Sequence, residues 1–315
     1  MINNNSKSPF HKGERAIQSK LGVRDRMEKF GKMVIRDHMP EQHREFYTKL
    51  PYLIVGHADK DGNPWASILF KKQELVYSSD DKHIIINTNP IDGDPLQNTL
   101  INRAKKGIPT KLGILGIELN TRRRNRLAVH VTDYSDHKIR CKVDQAFGNC
   151  PKYIQSRELT FAEVNNQRLI PHNLTSLDFQ AINLIENSDT FFIASYLNGD
   201  ISDANKGVDV SHRGGNPGFV KVNNNILTIP DYQGNNHFNT LGNILENPLA
   251  GLLFIDFISG NILMLTGKAQ IIWGSDEIKE YDGAQRLLKF TLIKGVTIKK
   301  ALPFKWGTAE LSRFL

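Results

Sequence analysis

Residues 236–241 read NHFNTL and residues 95–100 read PLQNTL. Each follows a polar turn that carries a glycine, Gln233-Gly234-Asn235 in one place and Asp92-Gly93-Asp94 in the other. Thr99 and Thr240 mark the same point in two copies, a little under half the chain apart. Other landmarks keep nearly the same offset. Tyr52-Leu53-Ile54-Val55-Gly56 matches Phe191-Phe192-Ile193-Ala194-Ser195, and Trp65-Ala66-Ser67 matches Asp209-Val210-Ser211. After each NTL element come an apolar strand (Leu112 to Leu119; Ala250 to Phe257), a polar turn and another strand. Two copies of one β-rich unit imply two similar domains packed as a pseudo-dimer, with a site where they meet.

Composition bounds the remainder. A chain of 315 residues with 39% hydrophobic and 23% charged residues has room for two globular units, each with its own core. No apolar run approaches the roughly 20 residues that cross a bilayer, so no membrane association is expected. The amino terminus, MINNNSKSPF, lacks a basic stretch followed by an apolar core, and a cytoplasmic protein is expected. Two cysteines, Cys141 and Cys150, are too few for a disulfide framework. The net charge of +8 favours an anionic partner. Its basic residues are scattered except at Arg122-Arg123-Arg124 and Arg126, and no helix-turn-helix, zinc or RNA-recognition signature accompanies them. No nucleic-acid partner is expected.

Along the chain, residues 1–13 read as a mobile arm, and apolar positions from Ile17 to Val34 recur at helical spacing until Pro40 stops them. A short helix follows to Leu50. The first β unit spans 51–163, a linker 164–175 and the second unit 176–315. Asp59 to Asn63 is a hairpin turn, and 94–106 is a helix between strands. Phe147 to Tyr153 reads as a turn opening a short helix, with Cys150 at its start. The helix Asn239 to Asn247 ends at Pro248. Many antiparallel strands with few short helices predict a mainly β (α+β) protein of two small barrels.

The richest chemistry lies in Val208-Asp209-Val210-Ser211-His212-Arg213-Gly214-Gly215 and in Pro230-Asp231-Tyr232-Gln233-Gly234-Asn235-Asn236. The first places Ser211, His212 and Arg213 at a strand end. The second is an amide-rich turn before a helix for which Asn239 or Thr240 would be a good N-cap. A phosphate suits such a place, because exposed helix amides favour an anion and Arg213 supplies a charge-assisted pair. Ordinary turns with capping residues would give the same pattern. In the first unit Asp92 and Asp94 would repel a phosphate, so that copy reads as degenerate. The arginine run is either a solvated turn or a hairpin reaching a phosphate; Arg126, nearest the strand, is the candidate. Cys150 has no evident general base, and the ten histidines show no metal spacing.

The runs GVDVSHRGG, GFVKV, LTIPDYQGN and NTLGNILENPLAGLLFIDF resemble the flavin-nucleotide-binding split barrels related to pyridoxamine 5′-phosphate oxidase. SPFHKGERAIQ, MPEQHREFY and FGNCPKYIQSR resemble a longer subgroup in which two such barrels lie in tandem. The resemblance implies FMN in a groove between barrels, with its phosphate on Ser211 and Arg213 and on the loop and helix start at Asn235, Asn236 and Thr240. It makes Lys221 a second cation and places Pro230, Asp231 and Tyr232 on the strand end facing the ring edge. It does not extend to the oxidase's own substrate. The basic pair of the loop before the helix is absent from Gly234-Asn235-Asn236-His237.

Two functions follow. One is an FMN-dependent oxidoreductase, reduced by a partner such as NADH or NADPH that binds transiently, in a homodimer. The other is a non-catalytic carrier of flavin, deazaflavin or haem, with His212 or His237 as the axial choices for haem.

Overall fold

The computed structural model describes residues 7–107, 110–162 and 169–314. Three helices come first: α1 (Lys12–Lys20), α2 (Arg24–Val34) and α3 (Glu41–Lys49). Then follow β1 (Tyr52–Ala58), β2 (Pro64–Phe70), β3 (Val76–Tyr77), β4 (His83–Ile86), α4 (Pro95–Lys105), β5 (Thr110–Glu118), β6 (Arg123–Ser135) and β7 (Lys138–Gly148). After β8 (Leu159–Phe161), β9 (Pro171–Leu174) and α5 (Phe179–Asn187), the plan recurs. It runs β10 (Thr190–Leu197), β11 (Gly207–Gly214), β12 (Lys221–Asn223), β13 (Ile226–Tyr232), α6 (Asn239–Glu246), β14 (Leu249–Ile255), β15 (Ile262–Ile272) and β16 (Ala284–Ile298). The last strand, β17 (Phe304–Trp306), pairs with β8.

The chain is mainly β, and its sheets are antiparallel. The first has the order β2-β1-β5-β6-β7-β4-β3 and the second β11-β10-β14-β15-β16-β13-β12, so strand for strand the order is the same. Register ties the copies more finely than the sequence did. Gly56 faces Gly113 across β1 and β5, and Ala194 faces Gly251 across β10 and β14. Gly56 is therefore equivalent to Ala194, one residue off the sequence match. Ser67 lies opposite Val55 and Ser211 opposite Ile193, which keeps those two serines equivalent.

Each sheet buries its own core, β1, β5 and β7 with α3 and α4 in one, β10, β14 and β16 with α5 and α6 in the other. A third core lies between the halves and includes Ile54, Trp65 and Leu115 from one side and Phe192, Leu253 and Met264 from the other. Burying such a side chain contributes about 1.5–3 kcal/mol, so the halves hold together as one body. Two equivalent glycines set their approach. A Cβ on Gly113 would lie 2.7 Å from the carbonyl oxygen of Val208 on β11, and one on Gly251 2.5 Å from that of Pro64 on β2.

Several expectations are corrected. The amino-terminal arm is not free where it is described: Phe10 is 1% exposed, and Gly13 meets Gly242 backbone to backbone. The single amino-terminal helix is two, broken where Gly22 takes a φ of 67°. Phe147 to Tyr153 opens no helix. The linker falls partly outside the described residues, and its Pro171–Leu174 end is a strand on β16. Among the described residues no helix is long and apolar enough to cross a membrane.

Candidate functional site

The repeat places a helix start beside a strand end in each half. Asp94 and Asn235 occupy equivalent turns, and each accepts the amide two residues on. Leu96 N donates to Asp94 Oδ1 at 2.8 Å, and His237 N to Asn235 Oδ1 at 3.1 Å. Beyond that bond the halves differ. α4 starts at once, with Asp94 as its cap. In the second half Asn236 and Phe238 both take a left-handed φ of 62°, which delays α6 to Asn239. Phe238 sits at the N-cap with no side-chain hydrogen bond to the helix, so neither Asn239 nor Thr240 caps it. A phenylalanine in this backbone stores about 1–3 kcal/mol of strain, of the kind concentrated at ligand sites.

Charge differs as well. Leu115 faces Arg126 across β5 and β6, and Leu253 faces Met264 across β14 and β15, so Arg126 and Met264 are equivalent. Ser67 donates to the Asp94 carboxylate at 2.6 Å in a pocket closed by His57 and Thr99. Burial pushes Asp94 up to about 6. At the helix start, then, the first half has a carboxylate where the second has a neutral amide, and at the equivalent strand position the first half has an arginine where the second has a methionine.

Arg126 crosses from the first half to the second. It donates to Asp209 Oδ1 at 2.8 Å, to Ser211 Oγ, and to Asn239 Oδ1 at 3.3 Å. The hydroxyls of Ser211 and Thr240 lie 2.8 Å apart, and Asp209 Oδ2 is 3.1 and 2.9 Å from them. Two residues further along the same face of β11, Arg213 pairs with Asp231, whose other oxygen takes Arg286 Nε at 2.6 Å. Strand alternation puts His212 on the opposite face, edge-on to Phe192. His212 is 5% exposed, and neither ring nitrogen has a partner. Burial, and then Arg124, Arg213, Arg157 and Arg126, hold it well below the ordinary histidine value, so it is neutral.

Most of these residues line an open groove between the halves. Its cations are Arg124, Arg126, Lys152 and Arg213; Asp231 lies on its wall, and the Asp209 carboxylate joins Arg126, Ser211 and Thr240. Arg124, two residues before Arg126 and so on the same strand face, donates to the Cys150 carbonyl at 2.8 Å. Burial and the Arg126 charge press Arg124 down to about 9, still protonated at neutral pH. At the rim the first half clasps the second. Asn235 Nδ2 donates to Asn149 Oδ1 at 2.9 Å, and Tyr153 Oη to Gln233 O at 3.1 Å. The rings of Tyr153 and Tyr232 lie 5.4 Å apart.

Ser211, His212, Arg213, Pro230, Asp231, Tyr232, Asn235, Asn236, Thr240 and Arg126 all line this groove. Lys221 does not: it pairs with Glu280 at 3.1 Å and lies over Tyr281, away from the groove. Asp231 is held between two arginines rather than open to a ring edge. His237 packs among Phe10, Phe30 and Phe147. The sequence reading set Arg124 aside in favour of Arg126, although their alternate spacing was the available signal, and missed Asn149 and Tyr153. It also missed Glu14. That buried side chain on α1 accepts from Asn239 and from His11 N at 2.7 Å, anchoring the start of α6.

No protein-family model matches the chain, and no curated protein matches it. Among solved structures, a Lactobacillus delbrueckii protein provisionally named as a pyridoxamine 5′-phosphate oxidase aligns at 16% identity. It covers 39% of this chain and 94% of its own, with a TM-score of 0.30. The heme storage protein HutZ of Vibrio cholerae aligns at 14% identity over 37% of this chain and 90% of its own, with a TM-score of 0.27. A Clostridium acetobutylicum protein related to general stress protein 26, of the pyridoxinephosphate oxidase family, aligns at 17% identity over 41% and 92%, with a TM-score of 0.26.

Proposed function

We propose that the chain is a tandem pair of split β-barrels, units 51–163 and 176–315 joined by 164–175, that holds FMN in the groove between them as an oxidoreductase. The observation that carries this reading is the charge contrast between equivalent seats. Arg126 reaches an uncapped helix start in the second half, whereas Asp94 fills the corresponding place in the first. Exposed amides and guanidiniums together favour a phosphate. The fit is supported by buried polar atoms without partners on the groove wall, Arg126 Nε and Asn149 Nδ2.

Ser211, Thr240, Arg126 and Arg213 would bind the phosphate, and the Tyr153–Tyr232 rim would shield the ring from water. FMN supplies hydride or electron transfer when bound. NADH or NADPH, binding transiently, is the reductant, and the chain works as a homodimer; sedimentation of the purified protein tests the latter. Purified protein is expected to be yellow, or to take up one FMN per chain with quenching of flavin fluorescence. A colourless protein that ignores added FMN overturns the reading.

One observation favours passive carriage instead. Asp231 is locked between Arg213 and Arg286, and Asp209 is held by Arg126, so neither is available as an acid or base. A carrier of flavin, deazaflavin or haem would bind its cofactor without turnover. A Soret band lost on His212→Ala would establish haem, and reduction of bound flavin by NADH or NADPH with turnover would exclude a passive role.

A further inference from the structure

The equivalence of the halves extends to the helix before each sheet. α3 and α5 each have nine residues, and the step to the next strand is the same, Lys49 to Tyr52 in one and Asn187 to Thr190 in the other. Glu41 therefore corresponds to Phe179, Phe46 to Leu184, Leu50 to Ser188 and Pro51 to Asp189. The following hairpins match as well. Ile117 pairs with Arg124 across one turn and Ile255 with Ile262 across the other, so Asn120 corresponds to Ile258.

The first copy is filled inside and polar outside at these positions. Phe46 and Leu50 are each 3% exposed, and Glu41 and Asn120 are on the surface. In the second copy Leu184 and Ser188 are smaller, and a cleft opens between α5, the β14–β15 turn and the chain after β17. It is roomier than the Arg126 groove and shares no lining residue with it. Phe179 and Ile258, one on each wall, are 83% and 78% exposed where the first copy has its polar pair. A ligand that covers them takes that apolar area out of water.

Two ions of opposite sign also line the cleft. The Arg157 and Asp189 side chains are 9% and 8% exposed, and Arg157 Nη2 donates to Asp189 Oδ2 at 2.5 Å. The guanidinium lies 4.3 Å from the centre of the Phe257 ring. That single bond leaves Arg157 Nη1 and Asp189 Oδ1 buried with no partner among the described residues. An unmade donor and an unmade acceptor on one ion pair are costly to bury. A neutral group with an acceptor and a donor on neighbouring atoms, such as a carboxamide, satisfies both. A carboxylate would meet Asp189, and an amidinium would meet Arg157.

We propose that this cleft is a second binding site, for a neutral aromatic carboxamide. Its ring packs on the apolar walls, its oxygen accepts from Arg157 Nη1 and its nitrogen donates to Asp189 Oδ1. The site is independent of the flavin reading.

Benzamide, benzoate and benzamidine share a shape and differ in charge, and ligand-observed NMR on the full chain ranks them. Benzamide is expected to bind more tightly than either ion by about tenfold or more, the worth of one unmade hydrogen bond beside a like charge. Phe179→Glu and Leu184→Phe restore the residues of the first copy, and each should weaken benzamide binding. Asp189→Asn should lift benzoate toward benzamide; if that variant fails to fold, the charge ranking and Phe179→Glu still decide. Saturating inorganic phosphate, which would occupy the Arg126 groove, should leave benzamide binding unchanged. Equal affinities for the three probes, no benzamide binding at millimolar concentration, an affinity untouched by Phe179→Glu, or displacement by phosphate would each overturn the assignment.

Discussion

Asp94 and Asn235 make the same hydrogen bond in the two halves, each taking the amide two residues ahead, yet one is a carboxylate and the other is not. Ser67 donates to Asp94, while its equivalent Ser211 donates to Asp209 and also accepts from Arg126. The first half satisfies itself. Its counterpart reaches across to its neighbour for charge.

Arg213→Ala is expected to weaken FMN binding by about 1–3 kcal/mol, the scale of a hydrogen bond to a charged group. Stability should change little, because Asp231 keeps Arg286. Arg126→Ala should lower both affinity and melting temperature, since it strands the Asp209 carboxylate, which is 12% exposed. Fluorescence titration and thermal melting of both variants check this. A loss of affinity in neither would remove the arginines from the site.

Asp94→Ala removes a helix cap and should cost about 0.5–2 kcal/mol of stability. FMN affinity is expected to stay at the wild-type value, because the first-half seat takes no ligand. Weakened binding in this variant would mean that both seats matter.

Gly113→Ala and Gly251→Ala each drive a methyl into the backbone of the other half, and each should cost about 1–3 kcal/mol by overpacking. Only Gly113→Ala presses on β11, the strand of Ser211 and Arg213. Denaturant melts should therefore show both as destabilised, with affinity falling mainly in Gly113→Ala.

Glu14 gives a pH signature. Burial raises it to about 8, so the folded chain keeps a proton that an unfolded carboxyl of ordinary value 4.5 gives up. Its contribution is complete below the unfolded value and is lost as pH rises through about 8. His11 beside it acts in the opposite sense: burial lowers it to about 4, so its contribution is lost as pH falls through that value. Melting temperature should fall as pH rises from about 5 to about 8 and level off above, and Glu14→Gln should flatten that fall. An unaltered profile would show that Glu14 ionises freely.

Much of the second half was legible because its signals are local. The hairpins, the NTL helices and the polar strand ends follow from alternation, glycine-bearing turns and Pro248. Arg124 was legible in principle, two residues from Arg126 on one strand. What could not be read depends on contacts far apart in the chain. Lys221 lies on a short edge strand whose partner, Glu280, is far along the chain. The uncapped start of α6 follows from left-handed Phe238, which no propensity favours. Phe10 reads as part of a free arm, and Glu14 as an ordinary helix residue, because their partners His237 and Asn239 come more than 200 residues later.

Because Arg126 and Ser211 belong to different halves, whatever occupies the cleft also fastens the molecule shut. Occupancy and resistance to prying apart are then a single equilibrium seen from two ends, and a tight guest would be felt as rigidity along the seam at Gly113 and Gly251.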